Sequence, residues 1–425
     1  PLTARLPEGQ NRDTRWGAMT AAGSGSGGEK SATVLLLIGQ LSAAGAALLV
    51  NVLAAGVMAP SARGEMALVL QLAYVSTVLA LMGLERPFMT VQRGDFLSQY
   101  RSFVELVAPG LALVAPIFLI SLILGGTDFQ YVALVSIGFF FVGVNMLVRA
   151  ARVAYVTSRA WRPYLAINLG AQAFIVAGAL ALFILGVGAT NWWVTIYVVS
   201  GVVPVFFLAL ALLRGSREHQ LDNRKELRLR GWKLLPASLG NTAMIRSDRL
   251  LLPLLGTAAQ LGIYVTVATV MEFATWPAQQ WVDVSLRKWA THPQRILVAA
   301  FKRSAVALLL TLACTLMLGG VAYVLIVGFL PDVYEPALDL IIPLGIASLF
   351  YAITRAQQGV LIASGFNGTV SVIETVGWVI AVLSYVVLIP LMGMLGAAIG
   401  SVVSYAGCAL IGLVVLWRLS SSIRK

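Results

Sequence analysis

Twelve apolar runs of about 20 residues, parted by short polar connections, constrain this chain more than any other feature. In hydrocarbon every backbone N–H and C=O must find a partner within the protein. A helix of about 20 residues satisfies that while crossing a core about 30 Å thick. The runs lie at 32–58, 65–84, 104–125, 130–150, 164–187, 191–213, 234–255, 260–282, 304–329, 337–360, 369–390 and 394–417. Residues 33–58 are too long for a signal-peptide core and are read as the first span, with Met19 a candidate start. The fold class this predicts is an all-α polytopic membrane protein of about twelve transmembrane helices. Composition agrees, with 59% hydrophobic and 11% charged residues, whereas a soluble domain carries about 25% charged.

A net charge of +12 would suggest nucleic-acid binding in a soluble protein. Here the positions of the charges give another explanation. Of 30 basic residues, 26 fall in the even-numbered connections and the two tails. The odd-numbered connections carry Asp128, Asp332, Glu335 and Asp339, with Arg63 the one basic residue there. This is a positive-inside pattern. It predicts both termini in the cytoplasm and no nucleic-acid partner. Cys314 and Cys408 sit in apolar runs, and no metal-ligand or cofactor spacing is visible.

The longest basic connection, 214–233, divides the chain. The expected units are a flexible N-terminal tail (1–30, with GSGSGG at 23–28), an N-lobe (31–213), a basic cytoplasmic linker (214–233), a C-lobe (234–417) and a cytoplasmic C-terminal tail (418–425). The lobes begin alike: Gly39-Gln40-Leu41 matches Gly240-Asn241-Thr242, and Arg63-Gly64-Glu65 matches Leu261-Gly262-Ile263. This suggests a parallel repeat, two six-helix lobes around a central cavity, and alternating access.

Charges within the apolar runs carry the functional expectation, because each costs about 2.5–3.5 kcal/mol at mid-bilayer depth. Span seven holds Arg246, Asp248 and Arg249. Arg246 is about 18 Å and Arg249 about 22 Å along it at 1.5 Å per residue. Glu272 lies at similar depth on span eight. Two guanidinium groups three residues apart share a face and suit a phosphate. Mutual neutralisation with Glu272 or Asp248 is the competing reading. Arg355 and Glu374, on consecutive spans, are expected to pair. Arg63 and Glu65 are read as a solvated helix start. Asp248, Arg355, Glu374, Arg63 and Glu65 form a second group, with coupling or gating as the role under test. Gln40 and Asn241 are assigned to the cavity because they hold matching places in the two halves. Trp276-Pro277 is expected to bend span eight.

Several motifs resemble a known family. Pro60-Ser61-Ala62-Arg63-Gly64-Glu65-Met66-Ala67-Leu68 and Leu81-Met82-Gly83-Leu84-Glu85 resemble the start of polysaccharide flippases of the multidrug/oligosaccharidyl-lipid/polysaccharide exporter superfamily. Asp248-Arg249-Leu250-Leu251-Leu252 with Leu261-Gly262-Ile263-Tyr264 resembles the opening of the second half. Ile389-Pro390-Leu391-Met392-Gly393-Met394-Leu395-Gly396-Ala397-Ala398-Ile399-Gly400, running on to Tyr405, is similar to the turn between spans eleven and twelve. Leu361-Ile362-Ala363-Ser364-Gly365 is a weaker match.

The resemblance implies a monomeric, non-enzymatic flippase of the bacterial cytoplasmic membrane. Its substrate would be an undecaprenyl-linked oligosaccharide destined for surface polysaccharide, with proton or sodium coupling in some members. Cavity arginines would hold the pyrophosphate, a role open to Arg246 and Arg249. Span one has no cationic residue, which leaves the first half without an evident share of that site. The alternative is a cation-coupled multidrug exporter of the same superfamily, relying on Glu272 or Glu374. A glycosyltransferase or polymerase would need a catalytic carboxylate in a sizeable extramembrane loop, and a non-transporting scaffold protein is a further alternative.

Overall fold

The computed structural model describes residues 26–91, 94–125, 129–158, 161–214, 224–291 and 296–422. Among these there is no strand. The helices are α1 (Ser26–Val57), α2 (Pro60–Ala80), α3 (Glu85–Val91), α4 (Phe96–Val107), α5 (Gly110–Gly125), α6 (Phe129–Ser158), α7 (Trp161–Ile184), α8 (Thr190–Arg214), α9 (Arg224–Leu255), α10 (Ala258–Thr291), α11 (Ile296–Phe329), α12 (Ile341–Ala363), α13 (Asn367–Met392) and α14 (Met394–Ser422). A 3-10 helix, Asp332–Leu340, leads into α12.

Among the described residues, eight helices are long and apolar enough to cross a membrane, or nine if the bent pair α4/α5 is one span. The other three expected spans are also helical but less apolar. The first keeps a shorter apolar segment, Ser42–Val57. Helix α2 carries Arg63, Glu65 and Gln71, and α9 carries Arg246, Asp248 and Arg249. Leu309, Leu316, Met317 and Phe329 of α11 are all more than 60% exposed, an apolar surface that water would not tolerate and lipid would.

Three boundaries differ from the sequence expectation. Helix α1 starts at Ser26, inside the stretch read as a flexible tail; once the apolar helix is nucleated, extending it costs little. Residues 1–25 lie outside the described residues. The third span is two helices meeting at 49°, because Pro109 has no N–H to continue the ladder and Gly110 lies against the Ala80 carbonyl. The second half of the linker is helix rather than connection. Its Arg, Lys, Glu and Leu residues favour helix, Glu226 and Arg230 pair at 2.5 Å one turn apart, and Leu227 is buried.

The buried apolar residues described fall into four clusters. One is built from α1 to α8 and takes in Leu227 of α9. The other side of the molecule holds three clusters, one of which incorporates Ala55 of α1 and Ala67 of α2. The lobes meet where α2 crosses α10. A Cβ on Gly64 would collide with the Ala258 carbonyl oxygen, and one on Gly262 with the Pro60 carbonyl oxygen. Each added carbon would also lie 3.1 Å from the other glycine's nitrogen. The two glycines that occupy equivalent places in the sequence repeat therefore touch one another.

The connections sort to opposite ends. Tyr334 of the 3-10 helix donates to the Met58 carbonyl between α1 and α2 at 3.1 Å. Gly188, between α7 and α8, lies against Val57, and Gly393, between α13 and α14, lies against Gln260. These turns form one end of the bundle. At the opposite end Gly83 lies against Gly231, Arg224 pairs with Glu105 at 2.8 Å, and Arg149 pairs with Glu85 at 3.6 Å. Arginines concentrate at this second end, hereafter the basic end.

Candidate functional site

The charges of α9 converge on one carboxylate. Arg246 donates to Glu272 Oε1 at 2.7 Å and Arg249 donates to Glu272 Oε2 at 2.9 Å. Arg246 also donates to Gln71 of α2 at 3.2 Å, which ties the cluster across the seam between the lobes. Asp248 turns to another face. It accepts from the Tyr264 hydroxyl at 2.7 Å and from the Arg249 backbone N–H at 2.8 Å. Two guanidinium groups and two carboxylates leave the cluster neutral. Arg249 is 5% exposed, whereas Arg246 and Glu272 are 24% and 20% exposed. Mutual neutralisation thus describes the geometry of Arg249. Arg246 is the more exposed of the two arginines.

Arg63 departs from the expectation of a solvated helix start: it is fully buried. Its guanidinium donates to the Gly262 carbonyl at 2.8 Å, to Thr266 Oγ1, and to Asn51 Oδ1 at 2.5 Å and the Asn51 carbonyl at 3.4 Å. It also lies 5.3 Å from the centre of the Tyr334 ring. Among the described residues all of these partners are neutral. The Gly64–Gly262 crossing is what covers Arg63, since it brings α10 close enough for its carbonyls to replace water. Glu65, by contrast, is exposed and accepts from Thr190 at 3.3 Å.

Arg355 and Glu374 stand 3.9 Å apart, and Arg355 also donates to Gln358 at 3.2 Å. The expected pair is present, at the outer limit of an ion pair. The side chains of Gln40 and Asn241 lie outside the described residues. Helix α10 continues through Pro277 to Thr291, leaving the Phe273 carbonyl without its helical donor.

Among the described residues, cavities lie on both sides of the seam, two of which bear on the cluster. The larger, about 530 Å³, is lined by α1, α2, α6, α7, α8 and α10. Its walls are aromatic (Tyr74, Phe141, Tyr155, Tyr164, Tyr197, Trp276) and amide-bearing (Asn145, Asn168, Gln172, Gln279, Gln280). Its charged residues are Arg149 and Arg152, and its lining contains no carboxylate. The aromatic wall is organised: Tyr74 packs edge-on to Phe141 at 5.7 Å, and Tyr155 meets Tyr164 at 5.2 Å. The smaller cavity, about 110 Å³, is lined by Asp248, Arg249, Tyr264, Glu272, Ser348, Tyr351, Ser401 and Tyr405 among others. Trp276 and Gln279 line both cavities and form the wall between them.

Sequence reasoning placed Arg149 and Arg152 among the charges that set topology and passed over the tyrosines. The available signal was spacing. Asn145, Arg149, Arg152 and Tyr155 recur at helical intervals from the end of an apolar run into the connection that follows it, which is what a cavity-facing stripe looks like.

The sequence matches no protein-family model and no curated protein. Solved structures share the fold. An inward-facing multidrug resistance transporter of the MATE family in the MOP superfamily aligns over 92% of this chain and 99% of its own, with TM-score 0.67 and 13% identity. The lipid II flippase MurJ in an inward closed conformation aligns over 92% and 88%, with TM-score 0.64 and 13% identity. An outward-facing MATE transporter of the MOP superfamily aligns over 92% and 95%, with TM-score 0.60 and 12% identity. The chain therefore shares its fold with these solved structures.

Proposed function

We propose that this chain is a twelve-span transporter of the MOP superfamily that flips a polyprenyl-diphosphate-linked oligosaccharide from the cytoplasmic to the outer leaflet for surface polysaccharide export. It would do so as a monomer in the bacterial cytoplasmic membrane, with the basic end and both termini cytoplasmic. The observation that carries this reading is the lining of the larger cavity: two arginines, no carboxylate, and alternating aromatic and amide side chains. Aromatic faces stack on sugar rings and amides bond hydroxyls, while fixed cations hold a diphosphate. A cavity for cationic drugs would need anionic groups where this one has none.

The mechanism follows from what is closed. Gly64, Gly262 and Arg63 hold α2 and α10 together at the end opposite the basic one. The better match to an inward-facing relative (TM-score 0.67) than to an outward-facing one (0.60) supports the same polarity. The head group would enter the large cavity from the basic end, with its lipid tail left in the bilayer. Arg246, bridging Gln71 and Glu272, sits where the lobes must part and would meet the diphosphate in transit. Separation of α2 from α10 would then open the far end. A proton or sodium gradient would drive the cycle through Asp248, Glu272 or the Arg355–Glu374 pair.

The second reading, a cation-coupled multidrug exporter, is favoured by Asp248 and Glu272 lining the smaller cavity. Both carboxylates are already engaged, by Tyr264 and by two guanidinium groups respectively. The test is thermal stabilisation of the purified protein by a polyprenyl-diphosphate-linked saccharide and by rhodamine 6G. The flippase reading predicts stabilisation by the lipid and none by the dye. Stabilisation by the dye alone would overturn it.

A further inference from the structure

We propose that the first three turns of α9 form an interfacial docking surface for anionic lipid headgroups of the leaflet at the basic end. The proposal depends on the multi-pass membrane fold and not on what the transporter carries.

Helix α9 is too long for the membrane. Its 32 residues reach about 48 Å at 1.5 Å per residue, and the hydrocarbon core takes about 30 Å of that. About twelve residues therefore stand outside the core. Gly231 lies against the Met82 carbonyl and Leu84 at the basic end, so the excess is at the start of the helix, residues 224–235.

This segment has two unlike faces. Leu227, Gly231 and Leu235 are buried and share one face at i, i+4 and i+8. Leu227 belongs to the core built from α1 to α8, and a Cβ on Gly231 would strike Leu84 and the Met82 carbonyl. The segment is anchored there, which fixes what its opposite face presents. That face shows Lys225, Leu229, Trp232, Lys233 and Pro236, all exposed, at i, i+4, i+7, i+8 and i+11. Leu229 is 57% and Trp232 48% exposed. Apolar and cationic side chains interleaved on one face suit neither water nor hydrocarbon. They suit the headgroup layer, where Trp sits at the acyl boundary and Lys extends to the phosphates.

Charge selects the headgroup. The segment carries five cations and one carboxylate, Glu226. Arg224 pairs with Glu105, and Arg230 takes Glu226. Lys225, Arg228 and Lys233 have no ion pair or hydrogen bond among the described residues. Arg228 flanks the exposed stripe, one turn from both Lys225 and Trp232, and its Nε is shielded from solvent without a hydrogen-bond partner. Three uncompensated cations beside an apolar stripe complement a lipid with a net negative phosphodiester, such as phosphatidylglycerol. A zwitterionic lipid brings its own cation and gains much less from them.

The experiment puts a bimane at Leu229→Cys in the full chain lacking Cys314 and Cys408, in phosphatidylcholine nanodiscs. Quenching is compared for trace nitroxide-labelled phosphatidylglycerol and nitroxide-labelled phosphatidylcholine. The expected result is a preference for phosphatidylglycerol of about fivefold to a hundredfold, one to three cations at about fivefold each. The preference should vanish in Lys225→Gln/Arg228→Gln/Lys233→Gln, persist in Lys225→Arg/Lys233→Arg, and weaken as salt is raised. A bimane at Ser61→Cys, exposed at the opposite end, should show none. Melting temperatures measured alongside keep misfolding distinct from lost selectivity. Equal quenching by the two lipids would make the segment an interfacial helix without headgroup selectivity and overturn the proposal. Quenching by neither would mean that the face meets water or a protein, which also overturns it, as would a preference retained in the triple glutamine variant. Phosphatidylglycerol selectivity in a protein that moves no lipid-linked saccharide would uphold the docking surface while the flippase reading fails.

Discussion

Replacing Gly64 by alanine should open the end of the molecule that this structure shows closed. The methyl group would occupy the position of the Ala258 carbonyl oxygen, and 3.1 Å away stands the Gly262 nitrogen. Both obstacles are backbone, so no side chain can rotate away. Helices α2 and α10 must part by roughly 1–2 Å at the crossing to restore van der Waals distance. Overpacking of this kind costs about 1–3 kcal/mol. Charged to the closed state alone, that shifts the closed-to-open ratio by about 5- to 150-fold. Spin labels at Ser61 and Thr257, both exposed and flanking the crossing, would report it by double electron–electron resonance in a background lacking Cys314 and Cys408. The distance distribution should gain a longer component in Gly64→Ala. Gly262→Ala should act alike, because its Cβ would strike the Pro60 carbonyl. The double variant should cost little more than either alone, since one separation relieves both clashes. An unchanged distribution together with an unchanged melting temperature in Gly64→Ala would refute the reasoning.

Other expectations follow from the same geometry. Arg63→Lys keeps the charge but removes the fork that reaches Asn51, Gly262 and Thr266, so it should lower the melting temperature by an amount corresponding to about 1.5–3 kcal/mol for each charge-assisted hydrogen bond removed; a lysine variant as stable as wild type would contradict the role assigned to the guanidinium. Glu272→Gln strands two guanidinium groups, one of them 5% exposed, and should cost about 3–5 kcal/mol in thermal or denaturant unfolding. Adding Arg249→Met to it should recover much of that stability, and failure to recover would mean the cluster is not a charge-balanced unit. Tyr264→Phe leaves one Asp248 oxygen without its 2.7 Å donor and should destabilise more than Tyr385→Phe, which gives up only a neutral partner, Ser401; melting curves of the two decide it.

The helical class and the sorting of connections were legible in the sequence because both rest on local rules. An apolar run has to be helical in lipid, and arginine counts per connection need no knowledge of packing. The convergence of Arg246 and Arg249 on Glu272 was also legible, since helical rise alone puts them at one depth. Arg63 was not. Read locally it is a charged residue near a helix start, and only the approach of α10, 199 residues later, supplies the Gly262 carbonyl that replaces water. The matching glycines were visible as a repeat, but their contact with each other was not. Arg149 and Arg152 were obscured by their own usefulness: a charge that explains topology attracts no second question. The start of α9 resembles a linker in sequence because its charges outnumber its apolar residues, although Leu227 is buried.

The central claim is that the carboxylate-free cavity carries a lipid-linked saccharide across the membrane. The most direct test is flipping of a fluorescent polyprenyl-diphosphate-linked saccharide in proteoliposomes, read by its accessibility to an external quencher. The account predicts a rate well above that of protein-free vesicles, reduced in Arg246→Ala and in Arg152→Gln. A rate equal to protein-free vesicles, in preparations that transport a cationic dye, would contradict it.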